Sequence, residues 1–439
     1  MKAFKSTAWT LTLAVIFILV VSPAAAQNPA SAPATEQSPG LAVQWMELLY
    51  RRIEAEKFSA PAAARLYAYA GITLYEAVHP GIPDSFSMSR QLNGLPNMPA
   101  IEPNAVYDWP TAANGALSTL LTGLLGTDSA GEIERLRQMQ INDRARSLEA
   151  EVIERSLAFG DSIAQTVLAW AANDNYEATR GLPYEPKTGD PSYWINTTGA
   201  PPVEPHWGAI RPFALYTADS CAVPLKMPFS TDPNSTFYLQ AMEVVNMGKN
   251  LTPEQKDIAR RWVDTPGGSG TPAGHWVLVE NQLTTLLDLD LGMASMMYGL
   301  TGVALGDAFI SAWSLKYQQP LIRPVDYIRQ YIDPTWTSFV ETPAFPEYPS
   351  GHSVVSAAAA EVLSTMFGTV AFTDRSGRLH GYDDRSYTSI EALAYEASIS
   401  RMYGGIHYRA GMEGGLRQGR CVGQNVLKFV RLRPIPQGE

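Results

Sequence analysis

Apolar residues recur every three to four positions along much of this chain, which is the spacing of one face of an α-helix. Residues 41–57 and 61–78 predict a helical pair, and Ser59 and Pro61 supply start signals for the second helix. A longer amphipathic stretch over about 129–172 predicts two more helices. The first part of the chain is therefore predicted to be helical.

The same periodicity continues in the second half. Thr252-Pro253-Glu254 predicts a helix start, because it combines a capping threonine, a proline in the first position and an acid in the first turn. Further apolar helices are predicted over 276–318, after a Ser350 cap over 354–367, and then over 388–406 and 413–431. Pro, Gly, Asn and Trp accumulate over 173–235, which predicts a long loop, and strands are few or absent. The predicted fold class is all-α, with one helical domain over 41–439.

The N-terminus has a different pattern. Lys2 and Lys5 precede an apolar run over 9–21, and Ala24-Ala25-Ala26 offers the small residues of a cleavage site. We predict a cleaved signal peptide over 1–26 and a protein exported to the periplasm or secreted; the alternative is an uncleaved membrane anchor. Residues 27–40 are rich in Pro, Ala, Ser and Gln, which predicts a disordered leader.

Composition narrows the partners. The 439 residues are 46% apolar and carry a net charge of −10 without any basic run, which argues against nucleic acid. Asp288 and Asp290 interrupt the apolar region over 286–306, so we predict a core helix there and no stable membrane span after cleavage. Cys221 and Cys421 could form a disulfide or remain two buried thiols, and the sequence leaves both open.

Chemistry-bearing residues concentrate in the last third of the chain. They comprise three permanent cations, a hydroxyl, a glycine amide and two imidazoles: Lys316, Arg323, Arg401, Ser350, Gly351, His352 and His407. Cations and N–H donors neutralise the oxygens of a tetrahedral oxyanion, and a histidine nitrogen can attack or ligate its central atom. The set therefore predicts a phosphate or vanadate site.

The order K-x6-R-P, P-S-G-H and S-R-x5-H resembles the signature shared by type 2 phosphatidic acid phosphatases and vanadium-dependent haloperoxidases, over about 313–420. The resemblance implies a helical bundle. It also implies that Lys316, Arg323 and Arg401 clamp the anion with Ser350 and Gly351, that His407 ligates vanadate, and that His352 is the general acid–base.

One position departs from that resemblance. The family pattern continues S-R-x5-H-x3-D, and this chain has Gly411 where the aspartate is expected. A ligating imidazole normally donates its second N–H to an acceptor. Glu413 or a main-chain carbonyl is the acceptor we consider for His407.

Two aromatic residues and one histidine extend the predicted site. Trp313 and Phe345 resemble the halide pocket of chloroperoxidase-type members, although either could simply belong to the core. His275 lies at a predicted helix start, where it could support the site, but a structural role is the stronger interpretation.

The resemblance favours a vanadate-dependent haloperoxidase that oxidises halide with hydrogen peroxide to hypohalous acid, with a small organic acceptor. The alternative is an acid phosphatase that hydrolyses a phosphate ester through a phosphohistidine, because phosphate can occupy the same site. A catalytically degenerate family member is a third interpretation, motivated by Gly411.

Overall fold

Helices dominate residues 32–433, the part of the chain that the structure, a computed structural model, describes. In chain order they are α1 (Gly40–Ala55), α2 (Ala60–Val78), α3 (Trp109–Leu124), α4 (Ala130–Arg144), α5 (Ala150–Ala171), α6 (Tyr176–Thr179), α7 (Thr236–Lys249), α8 (Pro253–Arg261), α9 (Thr271–Leu286), α10 (Leu291–Gln318), α11 (Pro324–Tyr331), α12 (Gly351–Phe367), α13 (Ile390–Tyr403) and α14 (Arg409–Phe429). Strands β1 (Phe372–Asp374) and β2 (Arg385–Tyr387) form a small antiparallel sheet. The all-α prediction is confirmed.

Helix α10 forms the centre of the bundle and packs along α2, α12 and α14. Among the described residues it is the one helix whose length and composition would suit a membrane span, but 94% of its most apolar window is buried inside the protein. It is the core helix that the sequence predicts in this region, and its last turn carries Lys316.

Capping residues start several helices where the sequence predicts them. The Ser59 hydroxyl accepts a hydrogen bond from Ala62 N at the start of α2, and Thr252 forms a capping box with Gln255 at the start of α8. Ser350 caps α12 and accepts a hydrogen bond from Ser353 N. Each side chain satisfies one of the N–H groups that the first helical turn leaves without a partner.

Close helix contacts depend on glycine. A Cβ at Gly71 of α2 would lie 2.2 Å from the Tyr298 carbonyl oxygen of α10. Likewise, a Cβ at Gly419 of α14 would lie 2.0 Å from the Val354 carbonyl oxygen of α12. The second contact matters for the site, because the N-termini of α12 and α14 both carry signature residues.

The structure corrects several boundaries. Helices α3, α7 and α11 are absent from the sequence prediction, and α14 begins at Arg409, before the predicted residue 413. The second half of the predicted disordered leader is ordered: Ala34 is fully buried, and the Gln37 carbonyl accepts a hydrogen bond from Leu291 N at 2.8 Å. The predicted signal peptide over 1–26 lies outside the described residues.

Cys221 and Cys421 form a disulfide, with a Cα–Cα distance of 5.6 Å. The bond joins the long loop before α7 to the middle of α14. This decides the alternative that the sequence left open in favour of the paired state.

Candidate active site

Four of the seven signature residues line one cavity of about 140 Å³. Its walls include these four, the two predicted aromatic residues and Asp264: Gly351, His352, Arg401, His407, Trp313, Phe345 and Asp264. Arg323 is the N-cap of α11, Gly351 and His352 begin α12, Arg401 lies in the last turn of α13, and His407 directly precedes the N-cap of α14. Helices far apart in sequence therefore contribute their ends to the same cavity.

One ring nitrogen of His407 contacts a carboxylate, and the other contacts a guanidinium. Its Nδ1 lies 2.8 Å from Glu347 Oε1, and its Nε2 lies 3.3 Å from Arg323 Nη1. A guanidinium can only donate, so Nε2 must be the accepting nitrogen and Nδ1 must carry the proton donated to Glu347. Burial, with the Arg323 charge next, holds the pKa of His407 well below its usual range, in agreement with a neutral ring. The electron pair of Nε2 is thus the one that would ligate an oxyanion's central atom, and ligation would take the place of the Arg323 hydrogen bond.

Two arginines leave donors without partners beside this histidine. Arg323 donates through Nε to the Phe345 carbonyl at 2.8 Å and through Nη1 to the Ile406 carbonyl at 2.8 Å, but its Nη2 is buried without a partner. Arg401 donates through Nη1 to the Trp262 carbonyl, and its Nε is likewise buried without a partner. Burial lowers the pKa of each arginine to about 10, so both remain charged at neutral pH.

These unsatisfied donors fit an anion. Buried donors without partners are rare because each costs about 1–3 kcal/mol, so such a cluster indicates a group that would satisfy them. Vanadate fits, since its oxygens accept hydrogen bonds and its central atom binds a neutral imidazole nitrogen. Phosphate has the same shape and charge type and fits the oxygen-binding groups equally well.

Lys316 has a different role from the predicted clamp. Its ammonium is fully buried and donates to three main-chain carbonyls, those of Pro346 at 3.0 Å, Glu347 at 3.0 Å and Pro349. An ammonium has three donors, so none is left for an oxyanion in this arrangement. Lys316 therefore contributes positive charge and fixes the loop that leads to Ser350.

Ser350 and Gly351 place the start of α12 at the cavity. The Ser350 hydroxyl accepts the cap bond from Ser353 N, and its own N–H donates to the Gly411 carbonyl at 3.0 Å. A Cβ at Gly351 would lie 3.1 Å from the Trp313 ring. Glycine at 351 therefore lets the start of α12 pack closely on the Trp313 ring, and it leaves the positive end of the helix dipole at the cavity.

His352 belongs to a chain of alternating imidazoles and carboxylates. Its Nε2 has no hydrogen-bond partner and lies 3.9 Å from Asp264 Oδ2. Asp264 also lies 3.6 Å from His275 Nδ1, and His275 Nε2 lies 3.2 Å from Asp374 Oδ2. Burial and the Arg401 charge lower the pKa of His352 to about 3, so this ring is neutral and can accept a proton.

His275 itself is held as a cation. It stacks on Trp262 with ring centroids 4.0 Å apart, and Asp264 and Asp374 raise its pKa to about 9 against the opposing effect of burial. His275 therefore supports the site through its contact with Asp264, and it also packs in the core against Trp262. Asp264 was missed by the sequence analysis, because it lies in a loop outside every signature segment.

An aromatic wall closes one side of the cavity. Phe309, Trp313 and Phe345 follow one another with ring centroids 5.1 Å apart in each pair. The indole N–H of Trp313 donates to the Val203 carbonyl at 3.1 Å, so it is not free to bind an anion. The wall therefore presents aromatic carbon to the cavity.

The acceptor predicted for His407 is corrected. Glu413 is half-exposed and lies 3.9 Å from Arg409, and no main-chain carbonyl receives the Nδ1 proton. The acceptor is Glu347, in the segment Phe345-Pro346-Glu347-Tyr348-Pro349. An acid inside that otherwise apolar segment was the only sequence signal, and a contact between residues 60 positions apart gives no periodic pattern.

Solved structures of known proteins resemble this chain in fold, and one of them also resembles it in sequence. Residues 331–433 match the family described as the VCPO second helical-bundle domain. A bacterial vanadium-dependent iodoperoxidase structure matches with 34% sequence identity and a TM-score of 0.85, over 91% of this chain and 98% of that chain. A bacterial vanadium-dependent chloroperoxidase, in holo and apo forms, matches with 16% identity and a TM-score of 0.65, over 85% of this chain and 93% of that chain. No curated protein matches the sequence.

The chloroperoxidase resembles this chain in fold alone. The iodoperoxidase resembles it in both fold and sequence. Because 34% identity covers nearly the whole of that iodoperoxidase, and because His352, Arg401 and His407 of the signature line one cavity, this chain belongs to the vanadium-dependent haloperoxidase family.

Proposed function

We propose that this protein is a vanadate-dependent haloperoxidase that uses hydrogen peroxide to oxidise a halide to hypohalous acid. One observation carries the proposal: His407 lines the cavity with Nε2 as its accepting nitrogen, and Arg323, which contacts that nitrogen, and Arg401 each keep a buried N–H without a partner. The 34% identity to a vanadium-dependent iodoperoxidase supports vanadate as the anion that this cavity holds.

The chain's own groups divide the work of binding. His407 would ligate vanadate through Nε2, while Arg323 and Arg401 donate to its oxygens through the N–H groups that have no other partner. Lys316 adds charge, and the α12 N-terminus at Gly351 adds a backbone donor. When bound, vanadate supplies Lewis acidity that makes peroxide able to oxidise a halide.

His352 would act as the base. His352 lines the cavity, its Nε2 has no hydrogen-bond partner, and its ring is neutral at neutral pH. Asp264 lies on the same side and would stabilise the imidazolium that forms after this transfer.

Iodide is the halide that the cavity favours. A wall of aromatic carbon without a free N–H gives little compensation for the lost hydration of a small, strongly hydrated chloride. Iodide is larger, more polarisable and more weakly hydrated, so it loses less on entry. The iodoperoxidase relative supports the same preference.

The organic acceptor would react outside the cavity. Pockets that hold drug-sized ligands measure about 300–1,000 Å³, and this cavity of about 140 Å³ is much smaller. It suits peroxide and a halide, so hypohalous acid would leave before it meets the small organic acceptor.

The test is an assay of purified, vanadate-stripped protein with iodide, bromide and chloride, and in parallel with an aryl phosphate ester. We expect peroxide-dependent iodide oxidation only after vanadate is added, weaker bromide oxidation, and little ester hydrolysis. Ester hydrolysis that vanadate inhibits, without halide oxidation, would instead support the acid phosphatase.

A further inference from the structure

We propose that Glu347 is the positioning residue that orients His407, and that position 411 is glycine because the Glu347 carboxylate occupies the space its side chain would fill. The inference deepens the proposed function, on which it rests for the identity of the anion. It replaces the interpretation of Gly411 as a mark of degeneracy with that of a carboxylate supplied from another segment.

Two neighbouring residues hold one oxygen of the Glu347 carboxylate. Its Oε1 accepts hydrogen bonds from His407 Nδ1 at 2.8 Å and from Tyr408 N at 3.0 Å. The carboxylate therefore fixes the imidazole ring and the N-cap residue of α14 together. A carboxylate on Nδ1 holds the proton there and keeps Nε2 as the ligating nitrogen.

The backbone of Glu347 is fixed as well. Its N–H donates to the Leu321 carbonyl at 3.0 Å, and its own carbonyl accepts from Lys316 Nζ at 3.0 Å. The side chain is completely buried. The carboxylate thus has little freedom to move away from the histidine, as a positioning group requires.

The surrounding charge explains why a carboxylate is tolerated there. Burial raises the pKa of Glu347 to about 7, and the positive charges of Lys316 and Arg323 oppose that rise. A buried carboxylate among buried cations reduces their mutual repulsion when no anion is bound. Replacing Glu347 with a neutral residue would remove this compensation.

Gly411 leaves the space that the Glu347 carboxylate occupies. A Cβ at position 411 would lie 2.2 Å from Glu347 Oε1, 2.9 Å from its Cδ and 3.0 Å from its Oε2. Position 411 lies in the first turn of α14, four residues after His407. A side chain at 411 and the carboxylate of Glu347 therefore exclude each other.

The experiment uses full-length, vanadate-free protein and five variants: Glu347→Gln, Glu347→Ala, Gly411→Asp, the double variant Glu347→Ala with Gly411→Asp, and Glu413→Gln. Orthovanadate and inorganic phosphate affinities are measured by equilibrium titration. The ring nitrogen shifts of His407 are measured by ¹⁵N NMR, and thermal unfolding checks that each variant folds. Glu413→Gln is the matched control, because it removes a nearby acid of the same helix that does not touch His407.

We expect Glu347→Gln and Glu347→Ala to weaken orthovanadate binding by about 10–100-fold, the usual effect of losing a group that orients a ligating histidine. The ¹⁵N shifts of Glu347→Ala should show a larger share of the second tautomer, because Nδ1 has lost its acceptor. Gly411→Asp alone should also weaken binding because of the clash. The double variant should recover at least tenfold over Glu347→Ala, and Glu413→Gln should match the wild type.

Two results would overturn the inference. One is wild-type affinity in Glu347→Gln with an unchanged His407 tautomer in Glu347→Ala. The other is a folded double variant that binds no better than Glu347→Ala. Should the double variant not fold, Glu347→Gln still decides the matter, since it keeps the size of the side chain. No measurement uses peroxide or halide, so failure of the proposed function appears separately, as binding without oxidation.

Discussion

Single side chains set the chemistry of the site through what their neighbours allow them to donate or accept. Arg323 can only donate, so its contact forces Nε2 of His407 to be the accepting nitrogen. His352 differs, because its Nε2 has no hydrogen-bond partner and lies 3.9 Å from the Asp264 carboxylate. The two histidines are therefore suited to separate tasks, ligation and proton transfer.

The two tasks predict two different defects. His407→Ala should abolish measurable orthovanadate binding and all vanadate-dependent oxidation, because it removes the one nitrogen aimed at the anion. His352→Ala should leave the dissociation constant for vanadate within about threefold and lower kcat by about 10²–10⁴-fold, the usual range for loss of an acid–base group. Titration and steady-state kinetics on both variants check this. Equal loss of affinity in the two would contradict the division.

His275 predicts a dependence of stability on pH. Its folded pKa of about 9 lies above the unfolded value near 6.5, because Asp264 and Asp374 favour the cation. Its contribution, up to about 3 kcal/mol, is therefore complete below about pH 6.5 and lost as pH rises through about 9. Urea unfolding should show the largest difference between wild type and His275→Gln at pH 6, and a much smaller one at pH 10. A difference independent of pH would refute the cation.

At the scale of helices, the sequence was most informative where local rules act. Ser59, Thr252 and Ser350 start helices in the structure because capping requires only residues close along the chain. The role of Glu347 could not be predicted, since its partner lies 60 positions away and the two meet only after α12 and α14 pack. The ordered turn Ala34–Glu36 was also missed, because amino-acid composition does not reveal that this segment packs against α10.

Packing of α12 against α14 sets the distance between Ser350 and His407. A Cβ at Gly419 would meet the Val354 carbonyl oxygen at 2.0 Å, so Gly419→Ala should push the helices apart. We expect a loss of about 1–3 kcal/mol in the free energy of unfolding, the range for overpacking a core, together with weaker orthovanadate binding. Urea unfolding and vanadate titration check both effects.

Gly248→Ala is the control for that change. Gly248 is an exposed residue of α7, and an added Cβ meets nothing within 4 Å. Alanine has the higher helix propensity, so this variant should be neutral or slightly more stable. Equal behaviour of the two variants would show that the contact between α12 and α14 does not limit the site.

At the scale of the whole molecule, one disulfide joins the long loop before α7 to α14, which also begins beside the site. Cys221 and Cys421 are 200 positions apart, so the bond closes a large loop. Replacing both with serine should lower the free energy of unfolding by about 2–5 kcal/mol, the usual cost of losing a native disulfide. Urea unfolding of the double variant, without reductant, measures this, and an unchanged midpoint would contradict it.

The disulfide also supports the proposal of export, because such bonds persist in oxidising compartments. Cleavage of residues 1–26 would give a mature protein that begins at Gln27. N-terminal sequencing of protein from the periplasm or the medium should find that residue. Full-length protein that retains Met1 in the cytoplasm would count against export.

The central claim is that vanadate held by His407 makes this chain a haloperoxidase, and titration of vanadate-stripped protein tests it most directly. Iodide oxidation by peroxide is followed as orthovanadate is added, with His407→Ala in parallel and phosphate as competitor. We predict that activity rises from zero, saturates near one vanadate per chain, falls as phosphate is added, and is absent in the variant. Activity that does not depend on vanadate, or no activity at saturating vanadate, would contradict the claim.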